Sequence, residues 1–223
     1  MSRTLGIATI GQSPRDDIVA LFAEQAPAGT RVVLRGALDG LSDAEVDALP
    51  PRDGADTLYT RLRGGRDVKI SKQAVIERSP ALLARLREDG CDAIVYACTG
   101  AFPPMAGDEG VLFPSRVLSG LAEGLLPRGR LGILVPLAEQ GEKLKGKWAR
   151  AGVDVVVEAL IPSGGPEVVK AAADRLAAAK PDLVALDCMG YSPAIKAIVK
   201  ERVKAPTLLA ITATGRVLRE LLD

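Results

Sequence analysis

Runs of strand type and runs of helix type alternate along almost the whole chain, and no other feature restricts the fold as much. Residues 4–10 form a continuous apolar run, as expected of a strand buried on both faces. Further strand-like runs lie at 31–35, 92–97, 130–135, 153–157 and 183–186. Helical patterns fall at 42–49, 71–89, 115–125, 137–151, 167–179, 193–202 and 210–222. Such alternation predicts an α/β fold with mostly parallel sheets flanked by helices. Two local features qualify it. Gly64-Gly65 between the short runs 58–63 and 66–70 predicts a β-hairpin with a type I′ turn, added to the first half. Pro80 is expected to end or kink the helix at 71–89.

At 223 residues with 48% apolar content, a large core is within reach. Aromatic residues make up only 3%, so Ala, Val, Leu and Ile must build that core. Lys+Arg is 29 against 28 for Asp+Glu, so the chain carries no broad electrostatic footprint for nucleic acid or an anionic membrane. Neither a secretory leader nor an apolar run near membrane length is visible, and a cytoplasmic location is expected. The basic stretch KLKGKW, 143–148, reads as a solvated helix face. The phosphate-binding glycine patterns of nucleotide enzymes are absent, so no cofactor is expected.

The chain has no histidine, which removes Ser-His-Asp and Cys-His catalysis together with the commonest metal ligand. Its three cysteines, Cys91, Cys98 and Cys188, lack Cys-x-x-Cys spacing, so no metal site is expected. Any chemistry must then use thiols, carboxylates, hydroxyls, Lys, Tyr or backbone dipoles. DAIVYACTG at 92–100 has an echo 90 residues on, DLVALDCMG at 182–190, matching Asp92 to Asp182, Cys98 to Cys188 and Gly100 to Gly190. Arg85-Leu86 matches Arg175-Leu176 at the same offset, and Leu-Gly-Ile opens each half at 5–7 and 131–133. A duplicated lobe accounts for these matches. The division expected is 1–114, completed by 210–223, for the first lobe and 115–209 for the second.

In open α/β sheets, ligands bind beyond the carboxyl ends of the strands, where the echo places Cys98 and Cys188. A helix start at Ser192-Pro193 would favour a thiolate or a bound carboxylate beside Cys188. Cys91 precedes its strand and reads as a small core residue; core packing is also the plain alternative for Cys98 or Cys188 taken singly. If the lobes face each other, one thiolate can take a proton from a carbon next to a carboxylate and the other thiol can return one to the opposite face. Main-chain donors after the cysteines, at Thr99, Gly100, Met189 and Gly190, would hold the substrate carboxylate. Gly11, Gln12, Ser13 and Arg15 follow the first strand and could bind it too. Ser13 reads as a helix cap, with Pro14 at the first helical position and Asp16 completing a capping box; a simple cap with a solvated Arg15 is the alternative.

At these residues the sequence resembles the AroM family, over essentially the whole chain. The likeness rests on TIGQSPRDDI at 9–18, the hairpin region 57–70, CTGAF at 98–102, FPSRVL at 113–118, GILVP at 132–136, GKW at 146–148 and LDCMGY at 186–191. More distantly the chain is similar to the aspartate/glutamate racemase superfamily, chiefly in the two cysteine loops. That resemblance implies two pseudo-symmetric α/β lobes and a cofactor-independent racemase or isomerase with Cys98 and Cys188 as opposed acid and base. Other activities in that superfamily, a one-cysteine decarboxylase or a maleate isomerase, are the alternatives, as is a non-catalytic small-molecule-binding protein. Many of those racemases carry Asn or Thr and then Thr after the first cysteine, and Thr and then an acidic residue or His after the second; here Gly100 follows Thr99, and Met189-Gly190 follows Cys188. The expected partner is a small carboxylate, with a homodimer as the form of any self-association.

Overall fold

A computed structural model describes residues 3–223, and the side chains of all of these but 142–144. The chain divides into two compact units. One runs to Pro114 and takes in Thr214–Asp223; the other is Ser115–Ala213. The break near the C-terminus falls inside a helix.

In the first unit β1 (Thr4–Thr9) is central and buried at every residue. Parallel β2 (Arg31–Gly36) and β5 (Ala93–Tyr96) flank it in the order β2-β1-β5. With neighbours on both edges and helices over the faces, its unbroken apolar run satisfies every surface it presents. Helix α1 (Asp16–Ala23) links β1 to β2, and α3 (Lys72–Glu88) leads into β5. Between them lie α2 (Asp43–Asp47) and the antiparallel pair β3 (Thr57–Arg61) and β4 (Asp67–Ser71).

The second unit repeats the plan. β6 (Gly129–Val135) is flanked by parallel β7 (Val153–Ala159) and β8 (Leu183–Leu186), and β9 (Thr207–Leu209) extends the order to β7-β6-β8-β9. The connecting helices are α5 (Gly141–Trp148), α6 (Pro166–Ala178) and α7 (Pro193–Val203). In the first unit the place of β9 is held by one parallel bridge, Val95 to Leu112, where the second pairs Ala185 with Leu208. The helices that follow, α4 (Pro114–Leu125) and α8 (Ala210–Leu222), each lie mostly in the unit other than the one whose strand they follow.

The echo in the sequence has a structural cause at each matched residue. Asp92 and Asp182 do one job at the amino ends of their strands. The Asp92 carboxylate accepts from the Thr4 amide at 2.7 Å, and its own amide donates to the Thr4 carbonyl at 2.8 Å. Asp182 accepts from the Arg130 amide at 2.8 Å and donates to the Arg130 carbonyl at 2.8 Å. Leu5 then pairs with Ala93 as Leu131 pairs with Leu183, so the register is the same. The glycine in each Leu-Gly-Ile lets the next element press on the strand. A Cβ on Gly6 would lie 2.9 Å from the Cys91 sulfur, and one on Gly132 would lie 3.1 Å from Pro181 Cβ, the residue matching Cys91. Cys91 is thus a packing group at the amino edge, and burial pushes its thiol up from the ordinary value.

Three local expectations are corrected. The hairpin turn is not type I′: Gly65 alone of the Gly-Gly pair has a positive φ, +83°, and its amide donates to the Leu62 carbonyl at 2.9 Å. The Leu62 amide donates to the Arg66 carbonyl, so the loop has three residues and closes on a glycine bulge. Helix α3 runs through Pro80 without a break, capped by Ser71, whose hydroxyl accepts from the Ala74 amide. Its first turns pack on the core through buried Val75 and Ser79, which outweighs one lost backbone bond. The third correction concerns Ser13 and belongs to the site.

Candidate active site

Two loops carry the cysteines, each at the carboxyl end of a strand next to the central one. After β5, the Ala97 amide donates to the Ala8 carbonyl at 2.7 Å, and the chain turns so that the Cys98 amide meets the Tyr96 carbonyl. The Gly100 amide then donates to the Cys98 sulfur at 3.3 Å. After β8, the Asp187 amide donates to the Leu134 carbonyl at 2.9 Å, and the Gly190 amide donates to the Cys188 sulfur at 3.4 Å. An N–H aimed at sulfur stabilises the thiolate over the thiol. The glycines permit this turn at close quarters. A Cβ at Gly100 would meet Phe102, Leu58 and the Cys98 sulfur at 3.2, 3.3 and 3.4 Å, and one at Gly190 would meet Pro162 at 3.2 Å and the Cys188 sulfur at 3.6 Å. That crowding is a physical reason for Gly at both positions.

The surroundings of the two sulfurs differ. Cys98 is 8% exposed and packs in the cluster of Leu58, Phe102 and Phe113, while Cys188 is half-buried. Thr99 and Met189 are both buried. Tyr96 lies behind the first loop, its hydroxyl 2.6 Å from Ser79 Oγ, and burial drives its phenol far up. Behind the second, Tyr191 donates to the Leu160 carbonyl at 2.6 Å. Helix α7 begins at once after that loop: Pro193 stands in its first turn, and Ser192 Oγ accepts from the Ile195 amide at 3.3 Å, the cap its sequence predicts. No helix follows the Cys98 loop until α4.

The loop after β1 is built differently from the sequence expectation. Ser13 is not a cap and Asp16 completes no capping box. α1 starts only at Asp16, its cap position is Arg15, and no side chain caps it. Ser13 instead gives both its amide and its hydroxyl to Asp39, at 2.7 and 2.9 Å, and Asp39 also accepts from the Gly36 amide. A buried loop with an anchoring carboxylate beside it satisfies its own donors before a helix can use them. Gln12 is likewise engaged: its amide group donates to the Leu38 and Leu41 carbonyls, and its oxygen accepts from the Arg63 amide. The hairpin covers Gly11, where a Cβ would stand 2.5 Å from Thr60 Oγ1 and 2.6 Å from the Arg61 carbonyl oxygen. Arg15 is not solvated. It is 8% exposed and forks onto Asp17 at 2.9 and 2.8 Å. Burial works against ionisation of Asp17, but that fork holds its carboxyl below the ordinary value.

Sequence reasoning passed over a second buried charge. Asp187, immediately before Cys188, is 3% exposed. Its carboxylate accepts two bonds from Lys147 Nζ, both at 2.9 Å, and one from Trp148 Nε1 at 2.9 Å. KLKGKW is therefore not a simple solvated face: Trp148 is 1% exposed and Lys147 turns inward, while the side chains of Lys143 and Leu144 lie outside the described residues. The readable signal was the one mismatch in the echo that brings in a charge, an acid at 187 where the first half has Ala97.

No helix among the described residues is long and apolar enough to cross a membrane. No curated protein matches the chain in sequence. Among solved structures it is similar to glutamate racemase from Francisella tularensis subsp. tularensis SCHU S4 in complex with D-glutamate, at 15% identity over 99% of this chain and 81% of that one, TM-score 0.61. It is similar to unliganded arylmalonate decarboxylase at 16% identity over 100% and 93%, TM-score 0.63. The maleate isomerase Iso from Pseudomonas putida S16 follows at 12% over 99% and 94%, TM-score 0.61. These likenesses establish the aspartate/glutamate racemase-like fold. In sequence, the family described as AroM protein matches residues 5–222, and the chain belongs to the AroM family.

Proposed function

We propose that this AroM-family chain is a cofactor-independent racemase or isomerase of a small carboxylate-bearing molecule, with Cys98 and Cys188 as its acid and base. One observation carries the reading: both sulfurs end matched strands in matched turns, each receiving the amide of the glycine two residues on. In the reaction, one thiolate takes the proton from the carbon beside the carboxylate. The C–H electron pair passes into an enediolate, and the other thiol gives its proton to the opposite face. The amides of Thr99 and Met189 are the carboxylate donors, while Gly100 and Gly190, whose amides serve the sulfurs, form the walls of the two loops. Gly11, Gln12, Ser13 and Arg15 shape the neighbouring loop through bonds they already make. The solved relatives support the reaction class, since their names include a glutamate racemase and a maleate isomerase. Free cysteines suit a reducing cytoplasm.

Incubation with candidate carboxylates in deuterated water is expected to exchange the α-proton. Cys98→Ser and Cys188→Ser should each lower exchange by about two orders of magnitude or more, as loss of a general acid or base does. Exchange surviving both substitutions would end the cysteine reading, and ligand-induced thermal stabilisation without exchange would make the chain a binding protein. The unequal burial of the sulfurs favours one second reading, a one-cysteine reaction such as decarboxylation. It is distinguished by activity that depends on a single one of the two residues.

A further inference from the structure

The hairpin β3–β4 stands outside the repeated plan, with no counterpart among the described strands of the second unit. Its place is fixed by contacts with two loops at the carboxyl end of the first sheet. Leu58 Cδ2 would lie 3.3 Å from a Cβ on Gly100 in the Cys98 loop, and Thr60 Oγ1 would lie 2.5 Å from one on Gly11 in the loop after β1. These loops leave paired strands at one level: the Ala97 amide donates to the Ala8 carbonyl at 2.7 Å, so Cys98 follows that bond by one residue and Gly11 by three. Two residues past β3, Arg63 fastens on the loop after β1. Its amide donates to Gln12 Oε1 at 3.2 Å, and its Nε donates to the Ser13 carbonyl at 2.9 Å. Every other arginine of this loop and hairpin meets a carboxylate: Arg15 pairs with Asp17, Arg61 with Asp67 and Arg66 with Asp47. Among the described residues Arg63 meets none. The bond at Nε holds its guanidinium plane and leaves the two Nη groups of an exposed cation for a ligand. That pair of N–H donors is a planar fork matched to a carboxylate, and its orientation is set before a ligand arrives.

We propose that Arg63, held by Gln12 and Ser13, is the cation that binds the carboxylate of the small-molecule ligand. This deepens the function proposed above and rests on it for the class of ligand. Removing a proton beside a carboxylate turns one negative charge into two on the enediolate. The neutral amides assigned to the carboxylate bond those oxygens without offsetting the charge, whereas a guanidinium does both. In a chain with no histidine, that cation has to be Arg or Lys. The assignment also gives the hairpin a purpose: it carries Arg63 to the end of the sheet where ligands bind. Gln12 and Ser13 then serve the ligand indirectly, as positioning residues for Arg63.

The test is modification of the whole protein by phenylglyoxal, which attacks guanidinium groups, read at each arginine by peptide mass spectrometry. Arg63 is expected to react several-fold faster than the paired Arg15, Arg61 and Arg66. Propionate or malonate at constant ionic strength should protect Arg63 saturably, chloride should not, and the three paired arginines serve as internal controls. In calorimetry with the protecting carboxylate, Arg63→Gln is expected to weaken binding about ten- to hundredfold, the loss of a charge-assisted pair. Arg63→Lys should weaken it less, and Arg66→Gln should leave it unchanged. Protection by neither carboxylate, equal protection by chloride, or unchanged affinity in Arg63→Gln would overturn the proposal. These readouts need no turnover. Carboxylate binding through Arg63 without α-proton exchange leaves the proposal standing while the racemase reading falls, and exchange untouched by Arg63→Gln does the reverse.

Discussion

Single residues explain much of what lets the first loop sit where it does. Gly11 lies under the hairpin, with a hypothetical Cβ 2.5 Å from Thr60 Oγ1 and 2.6 Å from the backbone oxygen of Arg61. A backbone atom cannot step aside as a flexible side chain can. Gly11→Ala is therefore expected to destabilise the protein by about 1–3 kcal/mol, read as a lower urea midpoint. The necessity of this glycine was invisible in the sequence, because the atoms that crowd it are some fifty positions away. Cys98 and Cys188 were legible for the opposite reason. Each has a near neighbour, Gly100 or Gly190, whose amide reaches its sulfur, so the turn is local and its sequence repeats with it. Asp187 shows the limit: its residue type was readable as odd at an apolar strand end, but its partner lies 40 positions back on helix α5.

Among the elements, most strands and helices stand where the apolar period placed them, the short α2 and the hairpin strands included, but the single helix expected at 137–151 is a 3-10 turn, Ala138–Gln140, followed by α5. β9 has three residues, too few for a pattern, and stands as a strand because β8 pairs with it. α1 begins later than expected because Asp39, brought in by the loop after β2, takes the donors of Ser13. α7 ends on Lys204, held at φ +57° with its amide donating to the Lys200 carbonyl. That left-handed conformation is strained for a side chain with a Cβ and free for glycine. Lys204→Gly is expected to raise stability by about 0.5–1 kcal/mol, seen as a higher thermal midpoint with unchanged exchange activity.

For the molecule as a whole, charge sets the response to acid. The fork from Arg35 holds the Asp89 carboxyl below its ordinary value, backbone and hydroxyl bonds of Ser42 do so for Glu45, and Lys170 does so for Glu167. For each group the folded value lies below the unfolded one. The stabilisation is then fully present above the unfolded value, near pH 4, and is lost as pH falls through the folded one. Unfolding free energy is expected to be level near neutrality and to fall below about pH 4.5. Asp89→Asn should flatten part of that slope, measured by urea titrations between pH 3 and pH 7.

The sequence by itself determined the fold class, the repeated strand plan and the matched turns at Cys98 and Cys188. All three follow from short-range regularities: the apolar period of each element, and the local turn that puts a glycine amide on each sulfur. Tertiary structure alone decided that Gln12 and Ser13 spend their polar groups on the fold, that Lys147 turns inward, and that Asp187 is neutralised beside only one of the two cysteines. The physical reason is one of distance along the chain. A buried polar group takes the first partner that packing supplies, and those partners lie 26 to 51 residues away, where no local pattern records them.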